Sequence, residues 1–258
     1  MEYQLAGSPQ QVFSGSSPLV VETPATTSRH RRYASLRAAG PVIVPSLLLC
    51  DFAHLADEVH KLEAAGVQAL HLDVMDGHFV PNLSYGMLIV EAVRRVTSLP
   101  IETHLMISDP GQYAEQFFAA GADAITFHVE AVASPRPLLE KLRSLGAVAG
   151  LALKPETPVA GIRDLLDACD LALPMSVSPG FGGQEFEPEA LGKLRELRAL
   201  APEVLLEDDG GVGDDTIGEC AQAGAQFFVV GSAIFHHSDY GQQIARLRSL
   251  AETPSRTH

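Results

Sequence analysis

The chain has 258 residues, enough for one substantial core, and 46% of them are hydrophobic, as in an ordinary folded globular protein. With 18 basic against 32 acidic residues the formal net charge is -14, which disfavours polyanionic partners; the three cysteines show no CxxC spacing, which argues against a disulfide framework or a thiolate-held ion and for a reducing compartment. No apolar run reaches the roughly 18 residues of a bilayer span, so neither nucleic acid nor a membrane is an expected partner.

Residues 1–39 are rich in Ser, Thr, Pro and Gly, carry Glu2 and Glu22 as their acids against Arg29, Arg31, Arg32 and Arg37, and show no sustained periodicity. They are read as a flexible, disordered extension with no apolar face to bury. Because such an acid-poor, Ser- and Arg-bearing leader also suits a transit peptide, the expected location is the cytoplasm, with an organellar stroma or matrix as the alternative. From Gly40 onward a unit recurs, a short apolar run followed by a helical pattern. "VIVPSL" precedes "FAHLADEVHKLEAAG", "ALHLDV" precedes "MLIVEAVRRV", and "IETHLM" precedes "GQYAEQFFAAG". "AITFHV" then precedes "RPLLEKLRSLG", and "VAGLAL" precedes "VAGIRDLLDAC". "LALPMSV" leads to "PEALGKLRELRAL", "VLLED" to "DTIGECAQAG", and "FFVVG" to "DYGQQIARLRSLA". Alternating strands and helices indicate a parallel sheet, and about eight units in about 210 residues predict an α/β fold, a single closed (β/α)₈ TIM barrel. A doubly wound open sheet would need fewer strands. The expected division is extension 1–39, barrel 40–251 and C-terminal tail 252–258.

In such a barrel the site lies at the carboxyl ends of the strands. Alternation along "HLDVM" puts His71 and Asp73 on one face with Met75 at the rim; the same count aligns His104 with Met106, and Glu207 with Asp209. His71, Asp73, His104 and Asp209 therefore converge as candidate metal ligands, and two imidazoles with two carboxylates suit Zn, Mn, Fe or Co as one divalent ion. A single inward histidine is more often a hydrogen-bonded core residue; the joint occurrence on three strand ends outweighs that reading. His128 also ends a strand but lacks an inward partner, and is read either as pocket wall or as a residue supporting a ligand from behind. Glycine-rich turns follow the later strands: "SPGFGGQ", with Gly180, Phe181, Gly182 and Gly183, then Gly210 and Gly211, then Gly231 and Ser232. Their backbone N–H groups suit a phosphate, although each motif alone is ordinary turn chemistry.

The strings "HLDVMDGHFVPN", "HLM", "MSVSPGFGGQ", "DGGVG" and "VGSAIF", in this order, resemble ribulose-phosphate 3-epimerase from about Val44 to Ile244. The resemblance implies a metal-dependent barrel that interconverts D-ribulose 5-phosphate and D-xylulose 5-phosphate through an enediolate, in the pentose phosphate pathway. It implies the same four ligands, with Asp73 and Asp209 as acid and base on opposite faces of the reacting carbon. It also implies a substrate contact at Ser46, a methionine lining of Met75, Met106 and Met175, and phosphate contacts at the glycine turns. A homo-oligomer is expected. The sequence departs from the family at Leu49, usually small, and at Pro174 and Asp208, usually apolar. Alternatives are a 3-epimerase of a phosphorylated ketohexose, a Schiff-base aldolase using Lys154, and a non-catalytic sugar-phosphate-binding barrel.

Overall fold

The structure, a computed structural model, describes residues 24–253. The expected tail beyond residue 253 and the first part of the expected extension, residues 1–23, lie outside the described residues. The strands are β1 (Val42–Pro45), β2 (Leu70–Met75), β3 (Ile101–Met106), β4 (Ala124–His128), β5 (Val148–Leu153), β6 (Leu171–Pro174), β7 (Leu205–Asp209) and β8 (Phe227–Val230). The helices are α1 (Pro24–Leu36), α2 (Leu55–Ala64), α3 (Met87–Val96), α4 (Pro110–Ala120), α5 (Pro135–Leu145), α6 (Glu189–Leu200), α7 (Ile217–Ala223), α8 (Ser232–Phe235) and α9 (Tyr240–Glu252). No described helix is long and apolar enough to cross a membrane.

The eight strands run parallel in the order β1-β8-β7-β6-β5-β4-β3-β2, and a single parallel bridge, Ser46 to His71, joins β1 to β2. This is a TIM barrel, nearly closed. Every strand residue from β1 to β6 is buried, as expected for parallel strands packed on both faces. Outward positions such as Ile43, Leu70, Leu72 and Phe228 join the helices in one cluster, whereas Val42, Val44, Leu171, Leu173, Leu205 and Phe227 form the inner one. Helix ends follow their local chemistry: Asp109 accepts from Gln112 N to cap α4, whose first residue is Pro110, and Gly146 ends α5 in the left-handed region at φ 87°. Pro174 has no N–H to give; the next donor, Met175 N, bonds Leu153 O at 2.9 Å.

Two expectations need correction. "VAGIRDLLDAC" is not an α-helix but a 3₁₀ stretch, Val159–Leu165, introduced by Pro158 and containing Gly161; its buried residues Val159 and Ile162 are three apart, the repeat of the tighter helix. The expected extension also has a docked part. Tyr33 is fully buried, its ring stacks on Phe227 at 5.3 Å, and its hydroxyl donates to Glu102 at 2.8 Å. Arg29 donates to the carbonyls of Phe118 and Ala122, Arg32 pairs with Asp123 at 2.8 Å, and Arg37 donates to the carbonyls of Pro202 and Glu203. One inserted aromatic and three cations on carbonyl and carboxylate oxygens hold α1, so no apolar stripe was there to be read. Tyr33→Ala should lower the free energy of unfolding by about 3–5 kcal/mol, the range for deleting a buried aromatic; an unchanged urea midpoint would show that the barrel closes its base without α1.

In β7, alternation turns Glu207 and Asp209 inward and Asp208 toward the helix layer. Asp208 is fully buried and its oxygens lack hydrogen-bond partners. Burial pushes its carboxyl up to about 7, with Cys220 and Ser176 holding it down only in part. In an unfolded chain an aspartate titrates near 3.9. The unfolded state therefore ionises first as pH rises, and the fold loses stability between about pH 4 and 7, by up to about 4 kcal/mol. Asp208→Val should raise the thermal midpoint at pH 8 by about 5 °C or more, and by less than half as much at pH 5, by calorimetry.

Candidate functional site

β2, β3 and β7 end at the same height in the barrel, and the inward residue near the end of each carries the chemistry. His71 Nε2 lies 3.3 Å from Asp73 Oδ1 and 4.0 Å from Asp209 Oδ2. His104 Nδ1 lies 3.2 Å from Asp73 Oδ1 and 3.5 Å from Asp209 Oδ2. Bonds of about 2.0–2.2 Å to one tetrahedral ion place ligand atoms about 3.3–3.6 Å apart; three of these spacings lie close to that and the fourth, at 4.0 Å, is longer. One ligand atom from each of the four residues lies within 4.8 Å of the others, and neither nitrogen of His71 has a hydrogen-bond partner though the ring is fully buried. The group can hold a divalent metal. Burial alone would raise Asp73, but His71 and His104 hold its carboxyl far below the usual range; burial alone would lower both histidines, but the facing acids raise them. Ser46 Oγ donates to the other Asp73 oxygen, Oδ2, at 2.5 Å.

Residues around these four orient them, and sequence reasoning passed over most. His104 Nε2 meets His128 Nε2 at 2.9 Å, and His128 Nδ1 meets Glu130 at 3.3 Å. Burial, with the charge of His104 adding to it, lowers His128 to about 4. His128 is therefore neutral, its Nδ1–H donating to Glu130 and its Nε2 accepting from His104, which turns the His104 Nδ1 lone pair toward the site. Below His71, Nδ1 faces Glu102 at 3.5 Å and Glu207 at 3.9 Å, a second group able to hold a cation. It is sealed inside the barrel, and Glu102 already accepts from Tyr33 and Thr126. Burial and the Glu102 charge drive Glu207 well above the usual carboxylate range, so it keeps its proton. Counting two residues back along "IETHLM", "AITFH" and "LLEDD" would have found Glu102, Thr126 and Glu207; nothing in the pattern flagged Tyr33.

Above these four residues opens a pocket, partly open to solvent. It brings together Ser46, Met75, Met106, Met175, Gly180, Phe181, Gly182, Gly183, Gly210, Gly211, Gly231 and Ser232, whereas His128 stands behind His104 and does not line it. His71 and His104 lie beneath its floor, fully buried. Close approach explains two of the glycines. A Cβ at Gly211, which sits at φ 62°, would come within 2.6 Å of Phe186 N, and one at Gly210 within 2.9 Å of Val177 N. Leu49 lies against Gly182 and Gly231, so the larger residue at this position fills space beside the glycine turns. Lys154 does not line the pocket; its Nζ stands 4.2 Å from the Phe79 ring centroid, away from the place a Schiff-base amine requires.

This geometry agrees with the protein's relatives. The chain matches the Ribulose-phosphate 3 epimerase family over residues 42–235. It is 46% identical over 220 residues to a ribulose-phosphate 3-epimerase of Mycobacterium tuberculosis, covering 84% of this chain and 95% of the relative. It is 44% identical over 211 residues to that of Bacillus subtilis, covering 80% and 97%. A rice relative, the cytoplasmic isoform of ribulose-phosphate 3-epimerase, is 41% identical over 219 residues, covering 83% and 96%. Among solved structures, 3-hexulose-6-phosphate synthase superposes with a TM-score of 0.62 at 18% identity, covering 81% of this chain and 99% of that one, which shows the barrel alone. With the family match spanning the strand ends that carry all four ligands and the glycine turns, the chain belongs to the ribulose-phosphate 3-epimerase family and is an isomerase.

Proposed function

We propose that the chain epimerises C3 of a ketose phosphate, interconverting D-ribulose 5-phosphate and D-xylulose 5-phosphate, with Asp73 and Asp209 as the proton-transferring pair. The observation that carries this is the placement of the two carboxylates: they come from β2 and β7, three strands apart around the barrel, and meet at the floor of a pocket edged by glycine turns. Inverting a carbon beside a ketone requires removal of its proton on one face and return of a proton on the other. Asp73 serves one face and Asp209 the other, and the roles exchange in the reverse reaction. Ser46 holds Asp73 Oδ2 in place. Met75, Met106 and Met175 line the pocket; being polarizable without exchangeable protons, they shield the enediolate from stray protonation. The backbone amides of Gly180–Gly183, Gly210, Gly211, Gly231 and Ser232 receive the phosphate.

His71, Asp73, His104 and Asp209 would hold the divalent ion, Zn, Fe, Mn or Co, which supplies positive charge opposite the ketone and hydroxyl oxygens where negative charge develops. The partner is thus a small sugar phosphate. A homo-oligomer is supported by two large apolar side chains left exposed, Leu83 in the β2–α3 connection and Leu88 in the first turn of α3, at 73% and 79%. A cytoplasmic location is supported by three buried cysteines that stay free.

Incubated with ribulose 5-phosphate in deuterated water, the protein should yield xylulose 5-phosphate labelled at C3. Asp73→Asn and Asp209→Asn should each lower turnover by at least about 10²–10⁴-fold; a fully active variant of either would remove that residue from the pair. Chelation should abolish turnover and leave the far-ultraviolet circular dichroism largely unchanged, because the core is aliphatic. Full turnover after chelation, with metal analysis reading zero, would overturn the metal-dependent reading.

A further inference from the structure

Among the described side chains of α1, only Tyr33 is buried, and it enters the barrel at the amino ends of the strands, the end opposite the pocket. An apolar ring would be enough to close that end. A tyrosine adds a hydroxyl that must find a partner when buried, and it donates to Glu102 Oε2 at 2.8 Å. The same oxygen is the carboxylate atom nearest His71 Nδ1, at 3.5 Å. Thr126 Oγ1 donates to the other oxygen, Oε1. Both oxygens of Glu102 are thus tied, one from α1 and one from β4, and the carboxylate is held against the imidazole. His71 Nε2 looks the other way, toward Asp73 and Asp209. A neutral imidazole carries its proton on one nitrogen only. No hydrogen bond joins Nδ1 to Glu102 at this distance, but a carboxylate fixed there draws the ring proton to Nδ1 and leaves the Nε2 lone pair free.

We propose that Tyr33 is a positioning residue for the metal centre: by holding Glu102 it fixes the ring and tautomer of His71, so a helix docked on the base of the barrel strengthens ion binding at the mouth. This rests on the reading of His71, Asp73, His104 and Asp209 as ligands. Tyr33 lies ahead of residue 42, where the match to the family begins, so the device belongs to the segment that precedes the shared barrel.

Tyr33→Phe keeps the ring on Phe227 and removes only the oxygen. Added to metal-free protein and followed by its visible absorption in competition with a chelator, Co²⁺ should bind Y33F about 3–10-fold more weakly; a partner touching a ligand directly is worth about 10–100-fold, and Tyr33 acts one residue further out. Circular dichroism and the melting midpoint of metal-free Y33F confirm that the comparison is between folded proteins. Equal Co²⁺ affinity in the two proteins overturns the proposal and leaves Tyr33 a plug. Wild-type protein that binds no Co²⁺ overturns the ligand reading beneath it, so the two failures are distinct. If Y33F does not fold, ¹⁵N spectra of zinc-loaded wild-type protein give the same decision. His71 protonated at Nδ1 upholds the proposal, and zinc on Nδ1 or a proton on Nε2 overturns it.

Discussion

Four carboxylates and two imidazoles lie within one another's reach along the barrel axis: Asp73, Asp209, His71 and His104 above, Glu102 and Glu207 below. Most of them are fully buried, and an uncompensated charge there costs several kcal/mol. Even with both rings protonated the acids are in excess. The barrel meets this constraint at two levels. In the lower one Glu207 keeps its proton and Glu102 gathers hydrogen bonds from Tyr33 and Thr126. In the upper one two carboxylates face two imidazoles, a set that could exchange the protons of its rings for a divalent cation.

The parts of the site that period-two alternation governs were legible in the sequence. His71 and Asp73 share a face because strand side chains alternate, and the repeat of strand and helix puts their ends at the barrel mouth. The lower tier was open to the same count, but Glu102 and Glu207 look like ordinary acids until the barrel shows that nothing wets them. α1 was not legible, because one aromatic ring and three arginines leave no periodic trace, and because the carbonyls that receive the arginines belong to segments far away in sequence. The 3₁₀ stretch after β5 failed for a local reason: Pro158 and Gly161 weaken the α-helix that its apolar spacing suggests.

At a net charge of -14, attraction of a phosphate ester would have to be local rather than global. Described lysines and arginines stay out of the pocket lining, which glycine turns edge instead. Backbone donors are fixed in position and do not move when a ligand leaves. They also leave the acids below undisturbed, whereas a lysine in the same mouth would compete with the cation for Asp73 and Asp209.

The seam between β1 and β2 is a single backbone bridge, Ser46 to His71, while every other neighbouring pair shares a ladder. The seam with the fewest backbone bonds thus runs beside Ser46, His71 and Asp73. Whatever ties Ser46, Asp73 and His71 together also acts as a stitch across that seam, so filling the site and closing the cylinder become one event. The base is closed by the ring of Tyr33 instead, so the two ends of the cylinder are held by different means.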